Sequence, residues 1–298
     1  MKPPYLYNKV IVFILISASV IFSRCISTCK SESTYCASKY PVLLVHGIAF
    51  RDKTFFIKYW GKIPESLKRK GAVVFTGGQE AYGTIENNAL SLKKKVDEIL
   101  ADTGAEKVNI IAHSRGGLEA RYMISMAGME NKVASLTTLS TPHRGSAMAD
   151  YIIKHAGNKK VFTAIIDFYA KVIGDDNPES LNAGRELTTD SMMKFNDKVK
   201  DSPHVYYQSY TSVIGENFGN PLWKAMYKLV ANKEGPNDGL VSATSAKWGA
   251  FRGLVTCNGK QLVTHADIVG MHFLSGETCF NADQFMAEIV HELKDKGY

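Results

Sequence analysis

A chain of 298 residues, 45% of them hydrophobic, is long and apolar enough to bury one sizeable core, and it carries no internal repeat or low-complexity tract. Its 36 Lys and Arg against 29 Asp and Glu leave a formal charge of +7, scattered in short clusters such as Lys68-Arg69-Lys70 and Lys93-Lys94-Lys95 that suit solvated helix faces. No zinc-finger, RNP-type or helix-turn-helix signature accompanies that charge, which excludes nucleic acid as an expected partner and leaves attraction to an anionic membrane surface open.

Lys2 and Lys9 precede an uncharged apolar run over residues 10–22, the charged start and short hydrophobic centre of a secretory signal. The run falls short of the roughly 20 residues that a membrane-spanning helix needs. The reading is a cleaved signal and a secreted or extracytoplasmic protein, with a membrane anchor over residues 10–22 as the alternative. Cys25 invites a lipid-anchor reading, which the bulky, charged Arg24 before it disfavours. Residues 1–36 are thus signal or N-terminal membrane segment plus a short linker, and residues 37–298 the folded domain.

Within that domain, Tyr40-Pro41-Val42-Leu43-Leu44-Val45-His46-Gly47-Ile48 is an apolar run bounded by Pro and by His-Gly, a buried parallel strand ending in a loop. Residues 63–70 can be helical, residues 72–76 read as a strand, and residues 86–100 place apolar side chains at helical spacing with lysines opposite. The β-branched pattern Lys107-Val108-Asn109-Ile110-Ile111-Ala112 then runs into His113-Ser114-Arg115-Gly116-Gly117 and a helix-forming stretch over residues 118–127. Strand, tight turn and helix around one serine is the architecture of a nucleophile elbow, usually G-x-S-x-G, here with Ala112 as the small first residue. The alternative for Ser114 is a plain helix N-cap. Residues 133–139 are a further strand. Strands alternating with helices predict an α/β fold, a mostly parallel central sheet flanked by helices. A helical, apolar-rich insertion at about residues 147–200 breaks the alternation, either as a lid or as core. Residues 205–210 are strand-like, and residues 281–296 predict a last helix capped by Asn281.

A serine hydroxyl needs a base, a group that orients the base, and donors for the oxyanion. Asp238, in the turn-rich Asn237-Asp238-Gly239, can be presented at a sheet edge, and His265 follows an extended stretch well toward the C-terminus. Serine, acid and histidine then fall in the chain order expected of an α/β-hydrolase. His113 and His143 precede the acid and are read as packing and hydrogen-bonding residues. His291 falls in the last predicted helix, and His272 lacks an aspartate two residues on. In this fold the oxyanion donors are main-chain amides, one after an early strand and one after the nucleophile, here Ile48 and Arg115. Of five cysteines, Cys257 and Cys279 bracket the segment that holds His265, and a disulfide between them would restrain it. Cys29 and Cys36 can form a second small loop, and free thiols throughout are the alternative. No C-x-x-C pair exists, so no structural zinc of the usual kind is expected.

Taken together, Tyr40-Pro-Val-Leu-Leu-Val-His-Gly, Ala-His-Ser-Arg-Gly-Gly, Ser140-Thr141-Pro142-His143-Arg144-Gly145-Ser146, Asn237-Asp-Gly-Leu-Val and His265-Ala-Asp resemble the bacterial secreted triacylglycerol lipases of the Pseudomonas and Burkholderia type, within the α/β-hydrolase superfamily. The Thr-Pro-His-Arg-Gly-Ser string is the most specific piece, because neither turn nor core chemistry predicts it. The resemblance implies Ser114 as nucleophile, Asp238 as orienting acid, His265 as general base and the amides of Ile48 and Arg115 as oxyanion hole. It implies a lid over the site, a lipid or ester substrate at an interface, and no cofactor for the chemistry. It also implies a structural calcium ion beside the histidine loop. Asp267 matches one ligand, but Asn220-Pro221 stands where an aspartate before proline is expected, with Glu216 nearby as a substitute. Asp267 is therefore either a calcium ligand or a plain hydrogen-bonding residue of its loop. A short-chain carboxylesterase, a phospholipase or a thioesterase would use the same machinery. A non-catalytic lipid-binding surface protein is the reading from another class, against which the filled triad roles argue. Oligomeric state is not legible.

Overall fold

The computed structural model describes residues 33–47, 59–80, 83–155, 178–272 and 279–298. Strands β1 (Val42–Val45), β2 (Val74–Thr76), β3 (Val108–His113), β4 (Val133–Leu139), β5 (Tyr206–Ser212) and β6 (Ala250–Val255) form one sheet in the order β2-β1-β3-β4-β5-β6, every pairing parallel. Helices α1 (Ile63–Arg69), α2 (Ile85–Thr103), α3 (Gly116–Met126), α4 (Ala147–His155), α5 (Pro178–Glu186), α6 (Thr189–Lys198), α7 (Pro221–Glu234), α8 (Ala243–Ala246) and α9 (Ala282–Asp295) connect or follow the strands. This is the α/β architecture that the alternation of elements predicts.

The two-residue period of β1 explains the layers. Val42 and Leu44 join the buried cluster that holds Ile63 and Leu67 of α1 and Met286, Ile289, Val290 and Leu293 of α9. Leu43 and Val45 point the other way, into Leu92, Val96 and Ile99 of α2 and Ala120, Met123 and Ile124 of α3. A strand buried on both faces has no room for a polar alternation, hence its continuous apolar run. α2 starts at Thr84, whose hydroxyl accepts from the Asn87 amide, and ends where Gly104 takes φ +68°.

β1 pairs with β2 on one side and β3 on the other, so the strand order reverses at β1. Crevices for ligands open at the carboxyl ends of the strands flanking such a reversal. Those ends are His46-Gly47 after β1 and Ser114 after β3.

Three elements went unpredicted: α7, β6 and the four-residue α8. α7 has a clear start signal, since Asn220 caps the Leu222 and Trp223 amides and Pro221 opens the first turn, and it buries Trp223, Met226 and Val230. β6 is an edge strand with a half-exposed pattern and a register shift opposite Ser209 and Tyr210, so little periodicity marks it. Asp238 does not lie at a sheet edge; it follows α7 in a tight turn whose Asp238 amide donates to the Val241 carbonyl at 3.2 Å. The stretch before His265 is not a strand either. It is bridged to Ile214, just past β5, at Leu262, and a short 3₁₀ turn, Asp267–Val269, follows.

Cys257 and Cys279 are joined by a disulfide. Cys36 is a free, buried thiol whose Sγ faces the Ala287 carbonyl at 3.6 Å, and the desolvation that comes with burial pushes its pKa up. The expected Cys29–Cys36 loop has one partner, Cys29, outside the described residues; Cys36 itself lies buried beneath α9. Residues 1–32, with the leader, Cys25 and Cys29, and residues 156–177, the middle of the insertion, lie outside the described residues. Among the described residues, no helix is long and apolar enough to cross a membrane.

Candidate active site

Ser114 adopts φ +54°, a conformation that costs a side-chain-bearing residue roughly 1–2 kcal/mol and that surrounding structure must impose. The imposing contacts are visible. Its amide donates to the Leu139 carbonyl at 2.9 Å, and its own carbonyl accepts from Gly117 at 3.1 Å. A Cβ on Gly116 would lie 2.3 Å from the His46 carbonyl oxygen, one on Gly117 2.3 Å from Thr141 Oγ1, and one on Gly47 2.8 Å from Ser114 Cβ. The ends of β1 and β3 therefore interlock with no space for side chains. Ser114 is not the N-cap of α3; Arg115 holds that position. The first amides of a helix have no partner within it, which leaves the Arg115 N–H at a site suited to an anion.

The Arg115 side chain runs the other way, fully buried. Nη2 binds Glu186 Oε2 at 2.7 Å and also donates to the Gly83 carbonyl, and Nε lies 3.6 Å from Glu119 Oε1. Glu186 accepts from the Ile85 amide at the start of α2, through both oxygens at 3.2 Å. Burial pushes the Glu186 carboxyl pKa up, against the pull of Arg115 and the Ile85 amide. Glu119, also buried, accepts from Gln79 at 3.0 Å and Asn88 at 2.8 Å.

Asp238 and His265 come together as expected. Asp238 is fully buried; its Oδ1 accepts from the amides of Leu240 at 3.0 Å and Val241 at 2.8 Å, and its Oδ2 sits 2.8 Å from His265 Nδ1. The main chains are joined as well, the His265 amide donating to the Asp238 carbonyl at 3.0 Å. The His265 ring lies 4.6 Å, centroid to centroid, from that of His113, the residue before Ser114. His113 is buried between Tyr59 Oη, which meets its Nδ1, and the His265 carbonyl, 3.0 Å from its Nε2. Tyr59 Oη also accepts from the Gly47 amide at 2.9 Å. Desolvation, then the nearness of His265, holds the His113 pKa well below 6.5.

The Thr-Pro-His-Arg-Gly-Ser block is a fastener. Arg144 Nη1 donates to the carbonyls of Thr244, Ser245 and Lys247, and Ser146 Oγ to that of Leu240 at 2.6 Å. A Cβ on Gly145, at φ +84°, would meet Thr189 Cα at 2.6 Å. His143 stacks on Trp248 at 4.9 Å, and its Nε2 lies 3.0 Å from Thr138 Oγ1. Both His113 and His143 serve packing and hydrogen bonding, as their chain positions predict.

The calcium expectation does not fit these residues. Asp267 Oδ2 accepts from the Thr264 amide at 3.0 Å and hydroxyl at 2.7 Å, and Oδ1 lies 3.2 Å from His272 Nδ1. Asn220 directs its side-chain oxygen to its own helix, and no cluster of three acidic, His or Cys side chains able to hold a metal occurs among the described residues. Asp267 thus hydrogen-bonds within its own loop. Ile48, the other expected oxyanion donor, lies outside the described residues. Sequence reasoning missed Tyr59 and Glu186, since Tyr59 sits in a stretch without periodicity and Glu186 within the insertion.

The palmitoyl protein thioesterase family matches residues 41–177. Triacylglycerol lipase 2 of Saccharomyces cerevisiae is 33% identical over 258 residues, 80% of this chain and 68% of that protein. A triacylglycerol lipase of Vibrio cholerae is 32% identical over 273 residues, 81% of this chain and 85% of that one. This chain belongs to the triacylglycerol lipase family. The mature lipase BlEst2 of Bacillus licheniformis superposes with TM-score 0.63 at 22% identity, over 80% of this chain and 90% of its own, which establishes the α/β-hydrolase fold. As a member of the lipase family the protein is a hydrolase of the lipase and esterase class.

Proposed function

We propose that this protein hydrolyses long-chain acylglycerols at a lipid surface through an acyl-enzyme, with Ser114 as nucleophile, His265 as general base and Asp238 as its orienting acid. The observation that carries the reading is the 2.8 Å bond from a fully buried Asp238 to His265 Nδ1, with the imidazole packed against the neighbour of a strained serine. With Nδ1 held, Nε2 is the nitrogen left to take the Ser114 proton as the hydroxyl attacks an ester carbonyl. Asp238 stabilises the imidazolium, and the amides of Arg115 and Ile48 stabilise the oxyanion. His265 then gives the proton to the leaving alcohol, water attacks the acyl-serine by the same route, and the fatty acid leaves.

Residues 37–298 form the catalytic domain in this reading, and the insertion at about residues 147–200, of which α4, α5 and α6 are described, covers the acyl chain and excludes water. Residues 1–36 direct export. The Cys257–Cys279 disulfide supports an extracytoplasmic site, where such bonds form and persist.

The test is hydrolysis of p-nitrophenyl esters from short to long chains, then of triolein emulsions, by purified residues 34–298, which keep the buried Cys36, with Ser114→Ala as control. Long-chain preference that vanishes in the mutant is expected, and turnover restricted to short chains would replace the lipase by an esterase. The match of residues 41–177 to palmitoyl protein thioesterases favours acyl thioesters as a second reading, which palmitoyl-thioester hydrolysis in the same assay distinguishes.

A further inference from the structure

Two loops that must keep register with Ser114, the turn at Gly47 and the loop at His265, are joined through one buried pair, Tyr59 and His113. We propose that this pair is a positioning unit for the reaction, in which His113 serves as a fixed neutral donor protonated on Nε2 and Tyr59 sets that tautomer. The inference rests on the triad reading above.

The proton arrangement follows from groups that have no choice. The Gly47 main-chain nitrogen can only donate, so Tyr59 Oη accepts from it. The His265 carbonyl can only accept, so His113 Nε2, 3.0 Å away, must carry a proton. A neutral ring then has a bare Nδ1, and the one hydrogen on Tyr59 Oη is directed to it. The result is a single ordered chain from the Tyr59 hydroxyl through the imidazole to the His265 carbonyl, with the Gly47 amide feeding its start. For a neutral ring, turning the Tyr59–His113 bond round would move the imidazole proton to Nδ1 and set the bare Nε2 against the His265 carbonyl oxygen, lone pair to lone pair.

Three consequences bear on the chemistry. His265 is gripped at both main-chain groups, its amide by the Asp238 carbonyl at 3.0 Å and its carbonyl by His113, so its ring is placed from two sides. The Gly47 amide, one residue before the expected oxyanion donor, is engaged by Tyr59 and is withdrawn from oxyanion binding, and its peptide plane is fixed. Finally, His265 becomes cationic during turnover with the His113 ring 4.6 Å away. A protonatable neighbour would oppose that charge, and the burial of His113 between two engaged partners keeps it neutral.

The experiment compares Tyr59→Phe, His113→Leu, His113→Gln and the Tyr59→Phe/His113→Leu pair with the parent and with Ser114→Ala, on the soluble substrate p-nitrophenyl butyrate. Tyr59→Phe and His113→Leu are each expected to lower kcat by about ten- to a hundredfold with KM held within about twofold, because misplacing a base slows chemistry more than binding. The double variant should lose no more than the worse single one. His113→Gln, which keeps a donor for the His265 carbonyl, should recover most of the loss. Nitrogen-15 NMR of histidine-labelled protein should show His113 wholly as the Nε2–H tautomer in the parent and as a mixture in Tyr59→Phe. Full turnover in Tyr59→Phe, losses that multiply in the double variant, or a proton on His113 Nδ1 in the parent would each overturn the proposal. If His113→Leu does not fold, Tyr59→Phe alone decides. An inactive Ser114→Ala beside a fully active Tyr59→Phe removes the positioning unit and leaves the triad standing, whereas an active Ser114→Ala removes the triad reading and this inference with it.

Discussion

At Gly116, one methyl group separates a working elbow from a broken one. The carbonyl oxygen of His46 stands 2.3 Å from where the Cβ would lie, and a main-chain oxygen cannot swing aside as a flexible side chain can. Gly116→Ala is therefore expected to destabilise the fold by about 3 kcal/mol, at the upper end of the cost of overpacking, in spite of alanine's better helix propensity. Urea unfolding of the purified variant checks this, and a midpoint equal to the parent's would mean that the ends of β1 and β3 can part. Asp238 is a residue of another kind, engaged by three donors at once: two amides and the imidazole. Asp238→Asn keeps the shape but presents an amide where a carboxylate is needed. A fall in kcat on the order of 10⁴ is expected with folding retained, and a fall below tenfold in the ester assay would show that the imidazole is oriented by something else.

Elements differ in how much of themselves the sequence discloses. β1, β3 and β4 are buried on both faces and announce themselves by runs that are mostly apolar or β-branched, broken only by Asn109 and His113 in β3 and Ser135 in β4, and the elbow follows because a serine between small residues at a strand's end has few other uses. β6 and the stretch before His265 are held by tertiary contact rather than by their own periodicity, so their conformation was not legible. Asp238 was legible as a residue but not in its setting, because α7 intervenes and converts a supposed sheet edge into a turn. Tyr59 and Glu186 illustrate the same limit, since their importance lies wholly in partners distant along the chain. Glu186 is the clearest case at this scale: it ends α5, caps the first amide of α2, and neutralises a fully buried arginine at the elbow. Glu186→Ala leaves Arg115 buried with only Glu119, at 3.6 Å, to oppose its charge, and a loss of about 2–3 kcal/mol is expected, discounted for the partial exposure of Glu186. Denaturant midpoints for Glu186→Ala and the milder Glu186→Gln test this, with no change in either refuting the linkage.

For the molecule as a whole, acid is a sensitive direction. His113 and His143 are buried with pKa values well below 6.5, so the unfolded chain binds protons below that pH that the folded chain refuses. Stability contributed by each is present above pH 6.5 and falls as pH drops below it, by about 1.4 kcal/mol per pH unit per histidine once well below. Glu186, with its carboxyl pushed upward, contributes with the opposite sign, and one group against two leaves the net slope downward. Urea midpoints at pH 7.5, 6.5 and 5.5 should therefore decline toward the acid side, and a flat profile would mean that these imidazoles can be protonated inside the fold.

The main-chain oxygen of Tyr298 accepts from the Lys39 amide at 2.8 Å, the Tyr298 ring stacks on Tyr206 at 5.2 Å, and Lys294 reaches the Thr34 carbonyl at 2.7 Å. The first and last residues of the folded unit therefore already touch. A short peptide could weld them into a ring at little entropic cost, after which the chain can be cut open at a surface turn such as Gly104 and begun there. In such a permutant the order of serine, acid and histidine would be unchanged, while β1 with its His-Gly turn, which opens the native domain, would emerge after all three of them.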